Sequence, residues 1–441
     1  MRKVKKSLAI LLAAMLAAGA LASCGNDSGD DTSGGTGGGG DSEKVSLSFW
    51  KSPHSDMEAD YWADIIEQFN EEYPNVSVEF LSVAWDSVVE KETAAFASGD
   101  APDITFQTEQ MPLYAKNGYL LSLNDYMSDE KKAAYPESSL DYCSYDGNIV
   151  GVPFVALNSV MFYNVDLFEE AGITEVPTNW DEFLAAAQAT TQDTDGDGTT
   201  DQWGVVYFPR DDYWQPLTFS IQAGADQWNA NRTNVGFNNE AGIEGLTFFS
   251  DLYNEYGVAL PLDLFSSQDE GEAYFYNGQV AMFPQQCNYA NTIRSNAPDL
   301  NLGVFLLPAG PAEDAAHSEW NFTNIGMLSL TASSPNPDAA YDFIEFVTRP
   351  EIESQYLSAV GFFSPQLSTN ETMYTDDEIL QVCAEGITAD MYLSPVSDYT
   401  NGMYQGMKTL WETLALGAST PEDAVQTLDD TLYAMSGEHG E

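Results

Sequence analysis

Trp50 ends one apolar run, Trp85 follows a second, Trp214 lies in the loop after the run 204–208 and Trp320 stands later in the chain, each with hydrogen-bonding side chains next to it. Asp86 follows Trp85, and Gln107 and Glu109 follow Phe106. Asp212 and Tyr213 precede Trp214. Gln286 and Asn288 follow Phe283, and Asn321 follows Trp320. Asn158 and Tyr404 complete the candidate set. Indole faces pack against C–H surfaces, and amide or carboxylate groups hold hydroxyls. Such a set suits a neutral molecule with apolar faces and hydroxyl edges, as a sugar ring has. Core packing explains any one tryptophan equally well, and loop carboxylates such as Asp212 are as a rule simply solvated. The joint placement is what points to a binding site.

Material for covalent catalysis is thin. The only histidines are His54, His317 and His439, and neither a GxSxG elbow nor a phosphate-cradling GxxxxGK[ST] occurs. A glycosidase needs two carboxylates roughly 5–10 Å apart. With 69 Asp and Glu in the chain such pairs arise by chance. A secreted glycoside hydrolase therefore stays open as an alternative, as does a binder of a cationic or peptide solute. One further cluster suggests metal chemistry. Asp193, Asp195, Asp197 and Asp201, with Gly198 sixth in the run, resemble the start of a calcium loop, but the twelfth position, normally a bidentate Glu, is Gly204. A structural calcium ion and a plain Asp/Gly-rich turn are the two readings; no other cofactor is required.

The charge balance limits the partners. Fifteen Lys and Arg stand against 69 Asp and Glu, a net charge of −54. Such a chain is repelled by phosphate backbones and by anionic membrane surfaces, which excludes nucleic acid as an expected partner.

The first residues read as targeting. Arg2, Lys3, Lys5 and Lys6 precede an apolar run from Leu8 to Leu21, which ends Leu21-Ala22-Ser23-Cys24. This resembles a bacterial lipoprotein signal, with 1–23 removed and Cys24 lipidated. Residues 25–43 contain no large apolar side chain and read as a Gly/Ser/Asp tether of roughly 24 Å root-mean-square span. The expected place is the outer face of the cell membrane. Cys143, Cys287 and Cys383 remain, an odd number, so at least one thiol is free.

The elements that must position the candidates follow from period. Val45, Leu47 and Phe49 alternate with serines in a strand ending at Trp50; Trp62, Ile65, Ile66 and Phe69 line a helix over 58–72. A second strand holds Val76, Val78 and Phe80, a second helix covers 86–98, and Ile104 and Phe106 begin a third strand. This order implies an α/β fold with a mostly parallel sheet. The candidates then sit where ligands bind in such sheets, beyond the carboxyl ends of the strands.

Several phrases together resemble the extracellular sugar-binding proteins of ABC importers, the group that includes maltose-binding proteins. They are FASGDAPDITF at 96–106, DGNIVGVP at 146–153 with FYNVDLF at 162–168, AGITEVPTNWDEFLAAA at 171–187, and GQVAM at 278–282. Gln286 and Asn288 stand where the family usually has Gly and Trp, and Val165 replaces a family Lys. The resemblance implies the two-lobed periplasmic-binding-protein fold, type II-like, with three interlobe crossings near 155–158, 306–310 and 364–369. One lobe would be 44–156 plus 309–366, the other 157–307 plus 367–441. It also implies a monomer that closes its hinge over a carbohydrate and presents it to the permease subunits of an importer, without enzymatic activity.

Overall fold

The computed structural model describes residues 44–440 apart from 56, 86, 211, 389–392 and 394. Cys24, the apolar leader and the tether lie outside the described residues, as does Asp86.

Two sheets organise the body. The first has the order β2-β1-β3-β11-β6, built from β1 Val45–Lys51, β2 Val76–Ser82, β3 Ile104–Gln107, β6 Val152–Leu157 and β11 Asn324–Leu330. β1, β2 and β3 run parallel, and β11 is antiparallel to both β3 and β6. The second has the order β10-β7-β9-β8, from β7 Ser159–Asn164, β8 Trp203–Val205, β9 Val280–Gln286 and β10 Leu302–Leu306. Here β7 is antiparallel to both neighbours and only β8 and β9 are parallel, so this sheet is mixed, not mostly parallel. The reason is topological. β7 leaves the crossing while its neighbours return to it, as the register Ser159↔Gln286 and Val160↔Leu306 shows. A two-stranded hairpin, β4 Ser144–Tyr145 and β5 Asn148–Ile149, turns through Asp146 and Gly147, both at positive φ (47° and 76°), the pairing a type I′ turn demands.

Helices cover the sheets through apolar faces. Trp62, Ile65 and Phe69 are the buried side of α1, Glu58–Glu72, and Trp62 meets Phe49 edge-on at 4.8 Å. Burying an indole removes roughly 200 Å² of surface, worth about 5 kcal/mol as an upper figure. The second helix, α2, Val88–Ser98, stops at Gly99, whose φ of 80° suits a left-handed C-cap. The helices Pro337–Val347 and Pro350–Val360 pack beside α1 on the first sheet. Glu378–Glu385 packs on β10 of the second.

The chain passes between the sheets three times. Asn158 alone separates β6 from β7; residues 307–323 join β10 to β11; the third passage lies between Val360 and Glu378. The three are hydrogen-bonded side by side. Ser159 donates its N–H to the Asn321 carbonyl (2.8 Å), and Ala156 and Phe363 exchange backbone bonds of 2.7 and 3.0 Å. Asn158 Nδ2 donates to the Cys383 carbonyl at 3.0 Å. No described helix is long and apolar enough to cross a membrane.

Candidate ligand cleft

Strand direction fixes where a site can form. The carboxyl ends of β1, β2, β3 and β6 in one lobe, and of β8, β9 and β10 in the other, all point towards the crossings. Ligands of open α/β sheets bind at such ends.

Side chains from both lobes meet there. Glu109, two residues past β3, accepts a hydrogen bond from Asn324 Nδ2 at 3.2 Å, and Tyr142 O–H donates to Asn324 Oδ1 at 2.8 Å. From the second lobe Tyr213 and Tyr404 stack at 3.6 Å with planes 17° apart. Burial above all, with the Glu109 charge as a further cause, raises the phenols of Tyr142, Tyr213 and Tyr404 above the ordinary tyrosine value. All three are neutral donors at physiological pH. Lys116, just past Met111–Ala115, pairs with Asp398, just before Thr400–Ala415, joining the two lobes at the rim.

The candidates fall into three groups. Glu109 and Tyr404 reach the meeting just described, and Asp212 stands next to Tyr213, accepting from Gln285 Nε2 at 3.2 Å. Gln286 ends β9 opposite Ser159, and Asn288 packs on Gly361 of the third crossing. Trp85 is 47% exposed beyond β2, its Nε1–H held by the Pro53 carbonyl at 2.7 Å, so an indole face is available.

A second group has its groups occupied within the fold. Trp50 is half-buried, with the ammonium of Lys91 on α2 4.7 Å from its ring centroid. Gln107 is buried, its Nε2 donating to Glu92 at 2.8 Å and Thr105 at 3.0 Å. Asn158 is fully buried in the crossing itself. In a third group, Trp214 and Trp320 are 2% and 3% exposed and enclose Phe322, one stacked at 5.2 Å and the other edge-on at 5.8 Å. Phe322 holds a φ of 42° in the second crossing, a costly conformation for a bulky residue that the two indoles maintain.

The acidic run lies elsewhere. Asp193, Asp195 and Asp197 bring one carboxylate oxygen each within 4.8 Å of one another on the surface. Asp193 accepts backbone N–H groups of Gly196, Asp197 and Gly198, while Asp201 accepts from Thr194. The loop enters β8 at its amino end, away from the cleft. Cys143, Cys287 and Cys383 are buried free thiols.

Sequence reasoning missed a buried ionic cluster at the end of β1. Lys51 Nζ lies 2.7 Å from Glu58 Oε1, both side chains at most 3% exposed. Trp62 Nε1 and Tyr356 O–H also donate to that oxygen, at 2.8 and 2.9 Å. Burial lowers the Lys51 ammonium to about 8 in spite of Glu58. The signal was available: a lysine inside an apolar strand needs a partner, and Glu58 opens the next helix.

Comparison with known proteins decides the family. Residues 54–353 match the model of the bacterial extracellular solute-binding proteins. The chain belongs to that family. Its members are solute-binding proteins, not enzymes. The chain is 24% identical to the arabinooligosaccharide-binding protein of Halalkalibacterium halodurans over 88% of its length and 89% of the relative's. It is 25% identical to the diacetylchitobiose binding protein DasA of Streptomyces coelicolor over 72% of each. Among solved structures it is similar to the GacH receptor of Streptomyces glaucescens, known with acarbose. The TM-score is 0.76 and the identity 22%, over 90% of this chain and 99% of that one. This solute-binding protein therefore has the two-lobed periplasmic fold expected from its motifs.

Those motifs build turns and caps. Asp103 of the APDI phrase accepts from Ser48 N–H and Oγ–H, both at 2.8 Å, tying β3 to β1. Asn164 caps Val165–Glu170. Asn179 caps Trp180–Thr190 by accepting from Glu182 N–H, and the Glu182 carboxylate reaches back past the cap to accept from Thr178 N–H at 2.8 Å.

Proposed function

We propose that the chain is the capture component of a sugar ABC importer, closing its two lobes over an oligosaccharide. The observation that carries this reading is the convergence of both sheets' carboxyl ends on one place. There a carboxylate and a phenol of one lobe, Glu109 and Tyr142, stand against a stacked tyrosine pair of the other. Polar groups for hydroxyls and aromatic faces for pyranose C–H surfaces are thus supplied from both sides of a hinge, so ligand contacts favour the closed form. The relatives that bind arabinooligosaccharide and diacetylchitobiose support the class of ligand. In this reading the protein acts as a monomer, is tethered through lipidated Cys24 to the outer face of the membrane, and docks on permease subunits.

The test is thermal melting with a panel of intact oligosaccharides, with reducing ends assayed in the same samples. A raised Tm with the sugar recovered unchanged supports capture. Loss of the intact sugar contradicts it. Cys24→Ser should release the protein into the medium of the expressing cell; retention at the membrane would contradict the anchor.

A further inference from the structure

We infer that His54 contacts the ligand, presenting a neutral Nε2–H donor at the first lobe's wall, held in that tautomer by the buried Lys51 side chain. The inference rests on the carbohydrate reading above and names a residue of the same cleft.

The tautomer follows from donor counting. Lys51 Nζ has three neighbours: Glu58 Oε1 at 2.7 Å, the Ser52 carbonyl at 2.8 Å and His54 Nδ1 at 3.1 Å. An ammonium donates three hydrogen bonds and accepts none, so Nδ1 must offer it a lone pair. A proton on Nδ1 would point at a cation. The Tyr356 hydroxyl lies 2.9 Å from the same nitrogen, but its single proton is directed to Glu58, 2.9 Å from Oε1, so it is the Lys51 ammonium that assigns Nδ1 as the acceptor. The imidazole proton therefore resides on Nε2.

Placement follows from packing. The Nδ1 edge faces Lys51 and Tyr356, each 1% exposed, while His54 itself is only half-buried. The edge turned away from that cluster carries Nε2. The ring is boxed by Phe106 at 5.3 Å, Phe362 at 4.7 Å and the exposed Trp85 at 5.6 Å, all at the carboxyl ends of β1, β2 and β3 or at the third crossing. No partner for Nε2 occurs among the described residues. Burial first, and Lys51 second, hold the imidazole well below its ordinary value, with Lys51, Glu58 and Tyr356 the titratable groups that face it. A neutral donor inside an aromatic box suits a hydroxyl or ring oxygen. The ammonium behind it disfavours a cationic ligand at this wall, whatever the overall charge.

The experiment is imidazole ¹⁵N–¹H correlation on the full chain labelled at histidine, with His54 assigned through His54→Gln. The free protein should show a pyridine-type Nδ1 and a pyrrole-type Nε2 from pH 5 to 7, and Nε2 should shift when a sugar that raises the Tm is added. His54→Gln should weaken that sugar roughly tenfold, as loss of about one good hydrogen bond does. A protonated Nδ1, or an ordinary titration in the free protein, overturns the lock. A sugar that binds yet leaves the Nε2 resonance in place overturns the contact. If no sugar in the panel binds, the carbohydrate reading falls, and the free-protein spectrum still decides the tautomer.

Discussion

Glu353 should make the protein less stable as the pH rises through neutrality, and Glu353→Gln should abolish that loss. The side chain is fully buried on Pro350–Val360, beside the third crossing. Oε2 accepts from Ser364 Oγ and from Gln366 Nε2, the latter at 3.2 Å, whereas Oε1 has no partner among the described residues. Burial pushes the carboxyl up to about 8 from 4.5, against the pull of Ser364, Lys131 and Gln366. A carboxyl raised in the folded state stabilises it below the unfolded pKa, and that stability disappears as pH rises towards the folded one. At 1.36 kcal/mol per unit, the loss between pH 5 and pH 8 is about 3 kcal/mol. Glutamine has the shape of the protonated acid, so the variant should match the parent near pH 5 and exceed it by about that amount at pH 8. Urea unfolding of both proteins at pH 5, 6, 7 and 8 measures this, since every other titrating group is common to the two. Parallel stability curves across that range would refute the reasoning.

Three further outcomes are expected. Glu58→Ala leaves the Lys51 ammonium buried without its partner and should cost about 3–5 kcal/mol in urea unfolding; a loss under about 1 kcal/mol would mean the cluster is not structural. Trp85→Ala removes an exposed indole, so Tm should hardly move while sugar affinity in calorimetry drops roughly tenfold; an unchanged affinity would remove Trp85 from the site. Because the Asp193–Asp201 loop lies at the amino end of β8, affinity for the sugar should be the same in millimolar calcium and in chelator, and a chelator-dependent affinity would contradict that separation.

Much of the fold was legible because the informative residues act locally. The alternation in β1, the Trp62–Ile65–Phe69 face and the Asp146-Gly147 turn each specify their element without help from distant parts. The phrases shared with the family are of this kind: Asp103, Asn164 and Asn179 stitch and cap, which is why they identify the fold and say little about the ligand. The mixed second sheet was not legible, since strand direction there depends on how often the chain crosses between lobes. The site was half legible. A tryptophan after a strand gives no sign of which way its ring will turn. Trp85 stays exposed on His54, Trp50 takes the Lys91 ammonium over its ring, and Trp214 and Trp320 close on Phe322. The Lys51–His54–Glu58–Tyr356 cluster joins residues about 300 positions apart, a contact that no local pattern announces, although a lysine in an apolar strand was a hint.

The central claim is that two hinged lobes close on a neutral sugar. The most direct test is small-angle X-ray scattering of the full-length protein, titrated with the oligosaccharide that most raises its Tm. The account predicts a smaller radius of gyration on saturation, with a midpoint matching the calorimetric affinity and the sugar recovered intact. Tight calorimetric binding with a scattering profile that does not change would contradict closure from an open state.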